Sequence, residues 1–519
     1  ILKPYVSGMF RLNGAARPSK RGLLVWLSLA FWGSRAFLPG MPMSCRAWKP
    51  QSPAVHPPKV LLVPMSQTAP SPHKSPRAHA SQVSLTATLN GDAKLEREPG
   101  MGVKDAAAII AGTALGGGFL ALPSVTAPMG VLPAILGLVV VWLFLAAVGL
   151  VYAEASIYTL ADKAKNAADT ETPAQGRDRA FLEDEGVSVV SVAQRSLGDV
   201  AAVVCTIAFA TQMLAVVTAQ VAKSGELLMT LTGLPYAAGC VLPSIALGFF
   251  AFEMPAKIVE RSNTGLAAAM VGGFLLLMVS TLSSSVAQLP AALAGLFATA
   301  DWAVLSPASA STWALPIFFN LLCFGQSVPL VVERMGSRHP GKVRSAILLG
   351  SSIPLLMGIV WVIIAALLGS SLNIDADIDP VIALVQGPVQ IALPVLLLSG
   401  GAIGTTLIAS YLALGQFAAD AMCAATGCCS IQDNERAKMA SVLVPALVAC
   451  IGPQLYLPLL SFTGAFPTMI LNGLLPPLAL LVTRRTKQML PGGRLMLIFL
   501  AALAVKFLVV NLWLWIQPA

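Results

Sequence analysis

From residue 101 onward, long apolar stretches alternate with short charged clusters, and the charges punctuate the chain. Hydropathy with that punctuation predicts eleven spans, near 104–127, 131–156, 198–223, 235–252, 263–285, 312–334, 342–369, 398–424, 438–454, 457–483 and 494–516. A helix rising 1.5 Å per residue needs about 20 apolar residues to cross a hydrocarbon layer of roughly 30 Å, and most of these stretches meet that length. The expected fold class is therefore an all-α polytopic membrane protein of about eleven transmembrane helices.

The connections alternate in charge. Those after even-numbered spans hold Arg177, Arg179, Arg195, Lys257, Arg261, Arg334, Arg338, Lys342, Arg344, Arg436, Lys438, Arg484, Arg485, Lys487 and Arg494. Those after odd-numbered spans hold almost no base, and the long ones at 286–311 and 370–397 carry Asp301, Asp375, Asp377 and Asp379. Because basic loops stay on the cytosolic side, the start of the membrane body faces cytosol, or stroma in a plastid, and the C-terminus faces away.

Two spans break the apolar rhythm. Span 1 is interrupted by Gly112-Thr113-Ala114-Leu115-Gly116-Gly117-Gly118 before Leu122-Pro123, and span 6 by Phe324-Gly325-Gln326-Ser327-Val328-Pro329. Glycine favours neither helix nor any one φ, so such runs predict broken helices in mid-membrane. The breaks lie five spans apart at comparable depth, and five is odd, so a second copy of the unit would be upside-down. The expectation is an inverted five-plus-five repeat, about 104–285 and 312–483, with an extra helix at 494–516.

Composition agrees: of 519 residues 56% are hydrophobic and 11% charged, with a mean hydropathy of +0.77, too apolar for a soluble chain to cover. The net charge of +9 suggests nucleic acid until it is divided along the chain. Residues 1–90 hold eleven Lys or Arg and no acid, leaving 22 bases against 24 acids in the rest, so no basic binding face is expected in the body. Residues 1–100 read instead as a targeting leader. A basic stretch and an apolar run from Gly22 to Trp32 have the dimensions of a signal peptide, and the Ser-, Pro- and Ala-rich residues 41–90 have the composition of a transit peptide. The junction from Ala36 to Pro39, with Phe37 inside it, resembles the cleavage motif of the two-part leaders of algae with secondary plastids. The expected location is an algal plastid envelope, with the plasma membrane as the alternative. The first Met is Met9, so residues 1–8 are expected to be untranslated or a piece of a longer start.

Eight scattered cysteines give no disulfide or zinc spacing, and Cys428-Cys429 beside a membrane end are expected to be unmodified thiols, with acylation as the other reading. All four histidines, His56, His73, His79 and His339, lie outside the spans, so no buried His relay is expected.

Three motifs resemble one family. GTALGGGFLALP (112–123) is similar to the opening broken helix of the tryptophan and tyrosine permeases, members of the amino acid, polyamine and organocation superfamily with the leucine-transporter fold. KVRSAILLGSSIPLLMGIVW (342–361) resembles that family's seventh helix, and AIGTTLIASYLALGQFAADAM (402–422) its eighth. The chain departs at Gly325, where the bacterial pattern has His, and at Gln416, where the family tends to have Asp.

The resemblance implies an amino acid bound at the midplane. Its carboxylate would meet the N–H groups of Gly116, Gly117 and Gly118, at the start of a half-helix, and its ammonium the carbonyls near Gly112 and Thr113 and those of the second break. Phe324 would shield the side chain, Gly325 would let it approach, Gln326 or Ser327 would set polarity, and Gln212 is read evenly as a ligand or an interhelical bond. For coupling, the fold implies a sodium site of Gly112 and Leu115 carbonyls with Thr405 and Thr406, or else a proton. Glu154, Glu253, Glu333 and Asp420 are expected at inner ends, and Lys506 as the lone deep base.

The expected function is a secondary active transporter of aromatic amino acids, and not an enzyme, needing no cofactor beyond the coupling sodium ion or proton. A neutral amino acid transporter of other specificity and a transport-dead sensor are the alternatives. The expected partners are the substrate and membrane lipid, with no nucleic acid.

Overall fold

The computed structural model describes residues 101–169, 188–285, 314–336, 340–371, 378–426, 431–483 and 489–516. Residues 1–100, where a leader is expected, the Cys428-Cys429 pair and all four histidines lie outside them, as do Asp301, Asp375 and Asp377.

Every element in the described residues is helical. The first span is α1 (Val103–Ala114), a 3-10 turn (Gly117–Ala121) and α2 (Leu122–Thr126). Then follow α3 (Val131–Asp169), α4 (Val189–Leu197), α5 (Asp199–Thr232), α6 (Tyr236–Glu253) and α7 (Ala256–Ser285). The second half runs α8 (Ala314–Leu321), a 3-10 turn (Gly325–Ser327), α9 (Val328–Met335), α10 (Pro340–Ser371), α11 (Pro380–Val385), α12 (Val389–Thr426) and α13 (Ile431–Ala449). It ends with α14 (Tyr456–Ala465), a π-helical turn (Met469–Leu474) and α15 (Leu475–Thr483), before α16 (Gly493–Ile516).

Nine of these helices or helix runs are long and apolar enough to cross a membrane, and the bent α1–α2 pair makes a tenth. The ninth span expected from sequence is the helix α13, whose first two turns carry Asp433, Glu435, Arg436 and Lys438 and so shorten its apolar length.

Each half contains a short helix that hydropathy does not reveal, α4 just before α5 and α11 just before α12. Ser188 caps α4 through reciprocal bonds with Ser191, and Asp379 caps α11 by accepting from the N–H groups of Val381 and Ile382. The core is apolar and lies between the broken elements and the long helices. Phe119, Leu120, Leu122, Phe318, Phe324 and Trp361 are all fully or almost fully buried there. Leu136, Val140, Leu143, Leu275, Leu276 and Val279 are exposed, as apolar side chains facing lipid should be.

Candidate functional site

In the first break, helix α1 ends at Ala114 and its axis turns by 50° before the second half begins. Leu115 and Gly116 are extended, and Pro123, lacking an N–H, stands in the first turn of α2 where none is needed. Stranded peptide groups inside a membrane must find partners, and three helices supply them. The Gly117 N–H donates to Thr406 Oγ1 of α12 (3.0 Å), and the Tyr456 hydroxyl of α14 donates to the Gly117 carbonyl (2.8 Å). Trp361 Nε1 of α10 donates to the Phe119 carbonyl (3.0 Å), its ring stacked on that of Phe119 at 5.9 Å.

The second break is closed differently. Phe324 leaves the helical region, and the Ser327 N–H and hydroxyl both donate to its carbonyl (3.0 and 2.8 Å). Side chains rather than peptide groups then reach across. Gln326 Nε2 donates to Gln212 Oε1 (2.9 Å), and Gln212 Nε2 donates to Thr468 Oγ1 (3.1 Å). Asn472, in the π-helical turn, donates to Cys323 Sγ (3.2 Å). Single π turns inside α-helical spans often mark functional sites.

The breaks face one another. A Cβ added at Gly118 would lie 3.4 Å from Asn320 Nδ2 and from Leu321 at the end of α8, and α1 packs against the Gly325–Ser327 turn. Two glycines are needed for close approach. A Cβ at Gly117 would overlap the Gln220 amide, and one at Gly325 would overlap Asn472 Oδ1. Gln220 is fully buried with neither amide atom bonded, and Asn472 Oδ1 is likewise buried without a partner.

Gly116, Gly117, Gly118, Gly325, Gln326 and Ser327 thus belong to one neighbourhood, and Gln212 bonds into it. Gly112 and Thr113 are exposed on the α1 stripe that also contains Lys104, Asp105 and Ala108. A matching exposed stripe on α12 contains Ala409, Gln416 and Asp420. Phe324 is 1% exposed, and its ring sits in the notch at Gly149 of α3. Thr405 donates to the Gly401 carbonyl of its own helix (2.9 Å), whereas Thr406 donates to Ala402 (2.8 Å) while accepting from Gly117.

One expectation is overturned. Lys506 sits midway along α16 and is exposed there, but it is not the lone base within a span, because Lys223 of α5 has 0% exposure. The sequence reading ended span 3 at residue 223, but α5 continues to Thr232, which places Lys223 inside the helix. It pairs with Glu226 (2.8 Å) and Asp379 (3.0 Å), with Tyr456 beneath it at 5.3 Å. Of the expected inner-end acids, Glu154 accepts from the Met489 N–H (3.1 Å), tying α3 to the segment before α16. Gln220, Lys223, Glu226, Tyr456, Trp361 and Asn472 were not singled out from sequence. The spacing of Gln212, Gln220, Lys223 and Glu226 along one apolar helix, eight, three and three residues apart, is the signal that could have found Gln220, Lys223 and Glu226.

No curated protein matches the chain. Among solved structures it is similar to a manganese transporter from Eremococcus coleocola, at 15% identity and TM-score 0.49, covering 78% of this chain and 84% of that one. It is also similar to a Na+-coupled sialic acid symporter, at 11% identity and TM-score 0.46, covering 78% and 88%. The model of the tryptophan/tyrosine permease family matches residues 101–511, and the chain belongs to that family.

Proposed function

We propose that this integral membrane transporter moves amino acids, aromatic ones in preference, by alternating access coupled to a proton or sodium gradient. The observation that carries the reading is the meeting of two glycine-lined helix breaks at Gly116–Gly118 and Phe324–Ser327. A zwitterion suits such a place, because its carboxylate can engage N–H groups and its ammonium carbonyls in exchange for the partners that the protein supplies. Gly116, Gly117 and Gly118 would hold the carboxylate, with Thr406 yielding the Gly117 N–H. Gly112, Thr113 and the second break would hold the ammonium. Gln212, Gln326 and Ser327 would border the side chain, with Phe324 backing that wall from its seat at Gly149.

The exposed polar stripes of α1 and α12 lead from the breaks toward the basic, inner ends of those spans. Asp and Gln on an exposed membrane helix suit a water-filled vestibule better than lipid, which supports an inward-facing state. The inverted repeat is supported by the matched order of elements, including the short helices α4 and α11 ahead of the third span in each half. Sodium, if it is the coupling ion, would be held by the hard oxygens of Gly112, Leu115, Thr405 and Thr406. The plastid address rests on the leader alone: residues 1–100 fused to a fluorescent protein should reach the plastid, and Phe37→Ala should divert it.

Uptake of labelled tyrosine and tryptophan into proteoliposomes, with and without sodium and with an imposed proton gradient, tests the reading. Saturable uptake that aromatic amino acids compete for is expected. Saturable alanine or glutamine uptake with no aromatic competition would overturn the substrate.

A further inference from the structure

A lysine with no exposure inside a membrane helix needs compensation, and Lys223 has more than it needs. Its ammonium bridges Glu226 Oε2 and Asp379 Oδ2, so the cluster sums to one negative charge. The two carboxylates are held unequally. Asp379 accepts from the Val381 and Ile382 N–H groups (2.9 and 3.4 Å) through Oδ1, and from Ser124 Oγ (3.1 Å) and Lys223 through Oδ2. Glu226 accepts only from Lys223 among the side-chain bonds described. Hydrogen bonds to a carboxylate favour its charged form, so a proton added to this cluster goes to Glu226. The other ionisable groups facing it are Tyr456 of α14, under Lys223, and Tyr236 of α6, whose hydroxyl donates to the Ala222 and Ala449 carbonyls.

Position gives that proton a task. The distribution of Lys and Arg puts this end of α5 and the short helix α11 on the outer side. Asp379 caps α11, Ser124 lies in the outer half of the first broken span, and Tyr456 also holds the Gly117 carbonyl. The cluster therefore ties an outer cover, α11, to both the first break and the third span. We propose that Glu226 is the coupling-proton site of this transporter. A proton from outer water forms the O–H of Glu226 and takes the cluster from one negative charge to zero. Lys223 then belongs to Asp379 alone, and the outer side can close over a neutral, buried pair. The unprotonated cluster would bury a net charge on closing, so the outer face stays open until the proton is bound. Symport then requires that the proton leave to inner water once the inner side opens, the step that acidification inside vesicles reads.

This inference rests on the amino-acid transport reading, and two assays in proteoliposomes keep the two apart. Counterflow exchange of labelled against unlabelled tyrosine without any ion gradient reports binding and translocation. Accumulation driven by an inward proton gradient reports coupling. Glu226→Gln, fixed in its neutral form, should retain exchange and lose gradient-driven accumulation, while Glu226→Asp should restore part of it. A pH dye inside wild-type vesicles, which needs no variant to fold, should show acidification that accompanies tyrosine entry without sodium. Accumulation by Glu226→Gln equal to wild type, or wild-type uptake that ignores the proton gradient, would overturn the proposal. Wild-type vesicles that exchange no amino acid would overturn the transport reading and this inference with it.

Discussion

The two helix breaks are built on opposite plans. At the first, the protein bonds the backbone itself: Thr406, Tyr456 and Trp361, from three different helices, hold the Gly117 N–H, the Gly117 carbonyl and the Phe119 carbonyl. At the second, Ser327 closes the turn on itself, and the cross-helix bonds run between side chains, Gln326 to Gln212 and Asn472 to Cys323. A bonded backbone fixes where the chain bends, whereas amides on side chains can exchange one partner for another. The first break is thus the more rigid, braced by its scaffold, and the second is the more adaptable face of the site.

Steric closure should give the largest effect. Gly117→Leu and Gly325→Leu each drive a side chain into a buried amide, Gln220 or Asn472, and should abolish tyrosine uptake while the protein still elutes as a folded species on size exclusion. Gly265→Ala, on α7 and away from the breaks, is the control, because nothing lies within 4 Å of an added Cβ there, and uptake should stay near wild type. Uptake surviving both leucines would remove the site from the breaks.

The bracing difference predicts a split between stability and selectivity. Tyr456→Phe leaves the buried Gly117 carbonyl without its donor and should cost about 1–3 kcal/mol, read as a lowered thermal midpoint of the purified protein. Gln326→Leu, at the second break, should move the midpoint less and shift the preference among aromatic substrates more. Equal midpoints for the two variants would break the comparison. A smaller contrast lies within α12. Thr406→Ala removes the bond to the first break and Thr405→Ala only a bond within its own helix, so uptake should fall further for Thr406. If sodium drives transport, the double change should also raise the half-saturating sodium concentration.

The sequence made the broken helices legible because glycine runs and Pro123 or Pro329 act locally, through propensity and a missing N–H. The order of spans was legible because hydropathy is additive along the chain. Partners were harder to read: Tyr456 and Trp361 lie hundreds of residues from the carbonyls they bond, and neither differs in sequence from any other aromatic in an apolar stretch. Lys223 was hidden by a boundary, since a helix end placed early turns a buried cation into a loop charge. Phe324 is expected from sequence to shield the substrate side chain, and only the notch at Gly149 reveals which helix its ring leans on.

The smallest effect concerns the substrate. A wall of Phe324 and glycine, without the His that the bacterial pattern has at position 325, lacks one polar contact for ring substituents. Phe, Tyr and Trp should therefore compete within about 1–3 kcal/mol of one another, measured as inhibition constants for tyrosine uptake.

The claim that the substrate sits between the two breaks is tested most directly by photolabelling. A photoreactive phenylalanine analogue illuminated on the wild-type protein in proteoliposomes, followed by peptide mapping, should mark residues 112–118 and 323–327, with labelling suppressed by excess tyrosine. Label confined to other helices, or label at the breaks that tyrosine does not suppress, would contradict it.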